Sequence, residues 1–342
     1  MNMSQAINQV LQRQDLSAEQ MTDVMRTIMT GGATDAQIGG FLIGLRMKGE
    51  TVSEITAAAS VMRELASGVD IGDLPHAVDI VGTGGDASGT FNVSTASMFV
   101  AAAAGCHVAK HGNRSVSSKS GSADVLEEAG VYLGLSPEQV ARCVREVGVG
   151  FMFAPGHHSA MKHAIGPRKE MAVRTVFNVL GPLTNPAGVP NLVLGVFSAD
   201  LVQPMAEVLQ NLGAAHALVV HSRDGLDEIS NGDETDMAEL QGGSIKRYSV
   251  KPEDFGLRRA PISEIRAEGP QQSLALIRDL LGGKPGPARD IVALNAGAAI
   301  YAAGLADSLA AGVERAQAVL DSGAGLVRMQ RLAQLTQSFQ QD

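Results

Sequence analysis

Asp79-Ile80-Val81-Gly82-Thr83-Gly84-Gly85-Asp86-Ala87-Ser88-Gly89-Thr90-Phe91-Asn92-Val93-Ser94-Thr95 is the stretch whose reading decides the architecture. A short apolar run over residues 77–81 ends in glycines, and an alanine-rich apolar segment over 95–105 follows. The order is strand, glycine turn, helix. Glycines after a parallel strand let backbone N–H groups close around an anion. Asn92, Ser94 and Thr95 open the helix, where unpaired N–H groups and the helix dipole favour phosphate. Gly82, Gly84 and Ala87 also satisfy a dinucleotide fingerprint, but such a site needs an acid near the end of the next strand. That strand, read over 107–110, ends in Lys110, which suits a different phosphate. No Gly-Lys-Ser/Thr follows the glycines, so the Walker pattern fails as well.

The second strand runs straight into another polar loop, Lys110-His111-Gly112-Asn113-Arg114-Ser115-Val116-Ser117-Ser118-Lys119-Ser120-Gly121-Ser122. It carries three cations and five serines in 13 residues, and a helix over 123–129 begins behind it. Two such loops after consecutive strands would open side by side at the carboxyl edge of one sheet, where ligands of α/β proteins bind. A ligand with two separated phosphates fits that arrangement.

Outward from these loops, strands and helices alternate: a helix over 136–147 with Pro137 at its first position, then strands over 150–154, 192–197, 216–221 and 244–250. A helix is expected over 200–212. The stretch 159–180 reads as helical, and 271–337 as mainly helical. The alternation predicts a central, mostly parallel sheet flanked by helices. Upstream of Asp73-Leu74-Pro75 the pattern is helical only. Ser17-x-x-Gln20, Thr34-x-x-Gln37 and Thr51-x-x-Glu54 each fit a capping box ahead of an apolar pattern near the 3.6 period. The expectation is therefore an α/β protein with a small helical domain over 1–72 and a larger α/β domain over 73–342.

The 342 residues accommodate about two domains at roughly 150 residues each. Formal net charge is −9 and Trp is absent, which argues against general nucleic-acid binding and against a stacking surface for single strands. The two cysteines, Cys106 and Cys143, have no metal or redox spacing and point to a reducing cytoplasm. No signal peptide is evident, and the most apolar run, near 97–108, is too short to span a bilayer.

Asp224-Gly225-Leu226-Asp227-Glu228 follows the strand over 216–221, at the same sheet edge. Magnesium takes hard oxygen ligands, commonly one or two carboxylates plus substrate phosphates, so Asp227 and Glu228 with Ser94 could hold it. His157, His158 and His163 do not have helical i, i+4 ligand spacing, which disfavours zinc. Arg168 carries the planar fork that matches a carboxylate.

Taken together, Gly82-Thr83-Gly84-Gly85-Asp86, Asn92-Val93-Ser94-Thr95, Lys110-His111-Gly112-Asn113-Arg114 and Arg174-Thr175-Val176-Phe177-Asn178-Val179-Leu180-Gly181-Pro182-Leu183-Thr184-Asn185-Pro186 closely resemble the anthranilate phosphoribosyltransferases, over nearly the whole chain. The resemblance implies transfer of a phosphoribosyl group from 5-phosphoribosyl 1-diphosphate to anthranilate in tryptophan biosynthesis, with Mg2+, two ions per site. By this likeness Gly82, Gly85, Asp86, Thr90, Asn92, Val93, Ser94 and Thr95 bind the phosphoribosyl donor. Lys110, His111, Gly112, Asn113, Arg114, Ser115, Val116, Ser117, Ser118 and Ser122 complete that site. Gly82, Asn113 and Arg168 contact anthranilate, His158 and Pro182 line its access, and Ser94, Asp227 and Glu228 hold the metal. No residue is implied as an acid, base or nucleophile. Ser159 stands where the family usually has proline, and Gly166-Pro167 precedes Arg168 where valine is common. The family also implies that the helical domain borrows residues near 168–188, meets the α/β domain across a hinge and forms a homodimer. The rivals are a pyrimidine nucleoside phosphorylase, which shares the glycine loop, and a non-catalytic homologue that binds nucleic acid.

Overall fold

The computed structural model describes residues 1–85, 88–115 and 119–340. Four helices come first: α1 (Met3–Leu11), α2 (Ala18–Met29), α3 (Asp35–Lys48) and α4 (Val52–Glu64). Their starts follow from local chemistry. The hydroxyls of Ser17, Thr34 and Thr51 accept from the N–H of Gln20, Gln37 and Glu54, whose side chains reach back to the cap. Asn2 and Gln5 form the same box at α1. Gly31 and Gly49 terminate α2 and α3 at φ of 79° and 92°.

The alternating part follows as β1 (Ala77–Gly82), α5 (Val93–Ala103), β2 (His107–Gly112), α6 (Ser122–Glu128), α7 (Pro137–Val147) and β3 (Val149–Phe153). Then come α8 (Ala154–His157), α9 (Lys162–Met171), α10 (Phe177–Leu180), β4 (Asn191–Gly195), α11 (Val202–Asn211), β5 (His216–Ser222), β6 (Thr235–Gln241) and β7 (Ser244–Val250). Four helices close the chain: α12 (Pro270–Leu281), α13 (Pro287–Ala302), α14 (Leu309–Ser322) and α15 (Ala324–Ser338). The strands form one sheet in the order β3-β2-β1-β4-β5-β6-β7. The first five of these are parallel, and β6 and β7 are added antiparallel at one edge.

Period-two alternation sends the strand side chains to opposite faces of the sheet, where two large cores form and a smaller third cluster gathers Ala77, Ala109 and Met152 against α7. Val78, Ile80, Val108, Val193, Leu218 and Val220 face a core shared with α5 and α12–α15. Leu192, Leu194, Ala217, Val219 and Leu240 face a second core, shared with α11 and the first four helices. Ala164 of α9 and Phe177 and Leu180 of α10 belong to that second core, and α9 packs against α2 and α3.

Three expectations need correction. Residues 159–180 are not one helix. Pro167 lacks an N–H within α9, Ala172 turns left-handed at φ 49° to end it, and the helical path resumes only at Phe177. The second strand does not stop at Lys110 but continues to Gly112, in register with β3 through His111↔Met152 and Gly112↔Phe153. A strand not foreseen, β6, lies between β5 and β7. Asp236 and Glu239 interrupt its apolar pattern, and both are partnered: Asp236 pairs with Arg223, and Glu239 accepts from His216, Tyr248 and Tyr301 at 3.0, 2.9 and 2.7 Å.

Candidate active site at the carboxyl edge of the sheet

The ends of β1, β2, β4 and β5 lie side by side, with Gly82 paired to Gly195 and Gly195 to Val220. The glycine loop, the serine-rich loop and the acidic loop therefore open on one edge. Glycine is required here by close approach rather than by turn geometry alone. A Cβ on Gly195 would sit 1.6 Å from the Asp227 carbonyl oxygen, and one on Gly82 would sit 2.5 Å from Asp227 Oδ2. The acidic loop therefore crosses directly over the ends of β1 and β4. Gly84 donates its N–H to Asp227 Oδ2 at 2.8 Å. Behind the acids, the buried side chain of Asn295 on α13 accepts from Ile229 N–H and donates to Ile229 C=O, both at 2.9 Å. That clamp fixes the backbone immediately after Glu228.

Asn92 stands at the start of α5, yet its side chain does not cap the helix. Val93 N–H goes to Phe91 C=O and Ala96 N–H to Asn92 C=O. The N–H groups of Ser94 and Thr95 have no hydrogen-bond partner among the described residues. The Thr95 hydroxyl is buried and likewise unpartnered among them. Three donors thus converge where the helix dipole is positive.

Lys110 is buried just below. Its ammonium donates to Ile80 C=O and to Ser94 Oγ, the latter at 3.1 Å. Burial pushes its pKa down, and Asp79, Glu228 and Asp227 pull it back up. Asp79, wholly buried, is pushed up to about 6 by burial, with Lys110 and Asn185 opposing. Asn185 donates to Asp79 Oδ2 at 2.7 Å and to Ala109 C=O at 2.9 Å, so the middle segment is tied beneath both loops. Ser94, Asp227 and Glu228 therefore share one charged neighbour, Lys110. Two carboxylates and a hydroxyl form a hard-oxygen set that fits a magnesium ion also ligated by phosphates. Among the described residues no group of three or more His, Cys, Asp or Glu offers an all-protein metal cage.

The serine-rich loop is drawn tight at its neck: a Cβ on Gly121 would lie 2.4 Å from Ser115 N. Ser115 and Gly121 both donate their N–H to Asp124, at 3.1 and 2.7 Å. Arg114 turns outward to ion-pair with Asp124 and Glu127 and lies 5.5 Å from the Phe153 ring. The exposed Asn113 accepts from Arg114 N–H. Asp86, Ala87, Val116, Ser117 and Ser118 lie outside the described residues.

On the far side of β2, the rings of His111 and His158 are 5.0 Å apart. Burial first, then neighbouring histidines, pushes His111 down to about 3 and His158 to about 4, so both are neutral at pH 7. The Nε2 of each is buried and without a partner among the described residues. The backbone of Gly181, next to Pro182, faces His111. The other two histidines go elsewhere: His157 bonds Ser67 C=O at 2.9 Å, and His163 lies against Gly31. Arg168 on α9 stacks 5.0 Å from the Phe177 ring and has no carboxylate partner among the described residues. Among the described residues no contact joins Arg168 to the loop cluster, and Arg114, itself part of the serine-rich loop, has its guanidinium committed to Asp124 and Glu127. Both cysteines are buried, and burial pushes each thiol up to about 12, which removes them as nucleophiles.

Residues 74–326 match the glycosyl transferase family, a/b domain, and residues 4–66 its helical bundle domain. An anthranilate phosphoribosyltransferase of Thioalkalivibrio sulfidiphilus is 63% identical over 338 residues, which are 99% of this chain and 100% of the relative. This chain belongs to the anthranilate phosphoribosyltransferase family. The crystal structure of the Thermus thermophilus family member superposes with a TM-score of 0.92 at 45% identity, covering 97% of this chain and 99% of that one. The Saccharomyces cerevisiae member, in complex with PRPP and Mg, gives 0.90 at 26% identity, covering 98% of each chain.

Sequence reasoning about this phosphoribosyltransferase missed the supporting residues. Arg174 donates to Gly85 C=O and stacks 4.3 Å from the Phe197 ring, while Arg46 of α3 donates to Arg174 C=O. Asn295 and Asp79 were given no role either, although each is a polar residue within an apolar run. Buried polar residues in apolar surroundings were the one available signal.

Proposed function

We infer that this chain transfers the 5-phosphoribosyl group of 5-phosphoribosyl 1-diphosphate to the amine of anthranilate, releasing diphosphate and N-(5-phosphoribosyl)anthranilate in tryptophan biosynthesis. The observation that carries this reading is the trio of unpartnered donors at the start of α5, the two N–H groups of Ser94 and Thr95 and the Thr95 hydroxyl, beside Lys110 and facing the acidic loop. Gly82, Gly85, Asp86, Thr90, Asn92 to Thr95, Lys110 to Ser118 and Ser122 take the donor's phosphates and ribose. Ser94, Asp227 and Glu228 hold magnesium, two ions per site, which when bound stabilises charge on the departing diphosphate without a proton.

Gly82, Asn113 and Arg168 take anthranilate, with His158 and Pro182 at its access. Arg168, free of any acid partner among the described residues, is suited to the anthranilate carboxylate. The neutral pair His111 and His158 keeps added positive charge away from a neutral aromatic amine. Such an amine needs no strong base, so rate comes from positioning and from stabilising the leaving group. The chain works in the cytoplasm as a homodimer through its helical domain, where Leu11 of α1 and Met47 of α3 are exposed. Among the described residues no helix is long and apolar enough to cross a membrane.

The test is loss of anthranilate fluorescence on mixing folded protein with the phosphoribosyl donor and magnesium. Loss only when all three are present supports the reading. No loss redirects it to thymidine and uridine phosphorolysis, and salt-sensitive DNA binding without turnover to the nucleic-acid-binding alternative.

A further inference from the structure

The segment from Ile265 to Ser273 lies along both anion loops, though nothing in its own sequence suggests a site. Phe91 donates its N–H to Ile265 C=O at 2.9 Å, and Ala267 donates to Gly89 C=O at 3.0 Å. Thr90 and Arg266 form an antiparallel bridge between these bonds. Farther along, Lys119 of the serine-rich loop ion-pairs with Glu268. The segment ends at Ser273, in the first turn of α12 and fully buried.

Ser273 meets Asn92 from 181 residues away, and its hydroxyl both gives and takes. It donates to Asn92 Oδ1 at 2.8 Å and accepts Asn92 N–H at 3.0 Å. Asn92 Oδ1 also accepts from Ser120 Oγ at 3.0 Å, and Asn92 Nδ2 donates to Ser120 C=O at 3.2 Å. The carboxamide is thus oriented by three bonds, and one Nδ2 hydrogen is left over. This also explains why Asn92 does not cap α5. Its oxygen is held by Ser273 and Ser120, so the N–H groups of Ser94 and Thr95 stay available. Without Ser273, Asn92 N–H loses its acceptor and the carboxamide is held by Ser120 alone, so Oδ1 gains freedom to turn onto α5 as an ordinary cap.

We propose that Ser273 is a positioning residue for the phosphoribosyl-diphosphate site, acting through Asn92 by withholding its side chain from the α5 cap. This deepens the functional reading above and rests on Asn92 and the α5 terminus being part of the donor site. The experiment is a double-mutant cycle of Ser273→Ala and Asn92→Ala, with Ser273→Cys as a volume-preserving companion should the alanine variant fold poorly. The readouts are KM for each substrate and kcat. Ser273→Ala and Ser273→Cys are expected to raise KM for the donor about tenfold, with KM for anthranilate and kcat at saturating donor within about twofold. In the Asn92→Ala background, Ser273→Ala is expected to add nothing. Additive effects, or an unchanged donor KM in a folded Ser273 variant alongside a raised one in Asn92→Ala, overturn the proposal and leave the site reading intact. An unchanged donor KM in folded Asn92→Ala overturns the reading of the site itself.

Discussion

Gly195→Ala isolates the closest approach in the site. The new Cβ would stand 1.6 Å from the carbonyl oxygen and 2.5 Å from the carbonyl carbon of Asp227. Non-bonded carbon and oxygen need about 3.5 Å, so the acidic loop must retreat by roughly 2 Å or the end of β4 must move as far. No side-chain rotation relieves this, because the opposing atoms are backbone. Overpacking of this kind costs about 1–3 kcal/mol of stability, and a misplacement of about 1 Å in a reacting site costs about a hundredfold in rate. The expected result is a folded protein with kcat/KM lowered by about a hundredfold or more and a magnesium titration shifted to higher concentration. Gly82→Ala is the graded companion. Its Cβ would meet Asp227 Oδ2 at 2.5 Å and Cγ at 3.2 Å, atoms that can swing aside, so its loss is smaller. The assay is initial rate of anthranilate consumption across a magnesium series, with thermal unfolding as the control for folding. A folded Gly195→Ala enzyme with the parent's rate and magnesium midpoint would refute the claim that the acidic loop is held against β4 for function.

Arg168→Ala is expected to raise KM for anthranilate by about tenfold or more and to leave that for the donor nearly unchanged; equal losses for both substrates count against a carboxylate-binding role. Asp227→Asn combined with Glu228→Gln is expected to weaken magnesium activation, and an unchanged magnesium titration removes these residues from the metal site. Glu239 gives an acid-side prediction. Burial raises its pKa, but hydrogen bonds from His216, Tyr301 and Tyr248 outweigh burial and hold it at about 2, below the ordinary 4.5. Its contribution to stability is therefore present above about pH 4.5 and is lost as pH falls toward 2. Glu239→Gln is expected to lower the urea midpoint at pH 7 and to flatten its decline between about pH 5 and pH 3; an unchanged acid slope rejects the assignment.

What the sequence disclosed is local. Capping boxes at Ser17, Thr34 and Thr51 and the glycine turn after β1 are decided within a few residues, so helix starts and the strand-loop-helix order could be read directly. The same holds for the shared edge of the two anion loops, since consecutive parallel strands tend to neighbour each other. Where long-range contacts overrule local pattern, reading failed. β6 went unread: Asp236 and Glu239 break its apolar pattern, and the three donors that satisfy Glu239 come from other elements, β5, β7 and α13. Residues 159–180 looked continuously helical, because the left-handed Ala172 has no sequence mark that a glycine would have supplied. Ser273, Asn295 and Asp79 act from a distance on the backbone of the site, and their sequence neighbours do not show which backbone that is.

The second core has a mechanical consequence. Arg63 of α4 donates to Leu183 C=O at 2.6 Å and to Leu212 C=O at 3.3 Å, and the apolar packing beneath the first four helices runs unbroken to Leu192, Leu194 and Val219 of the sheet. Swinging the bundle outward as a lid would strip that packing from the sheet face and expose it to water. Sliding α4 along α11 keeps the face covered. A displacement of the bundle that kept this face covered would be a shear of α4 along α11, and it would take with it α9, which packs on α2 and α3 and carries Arg168.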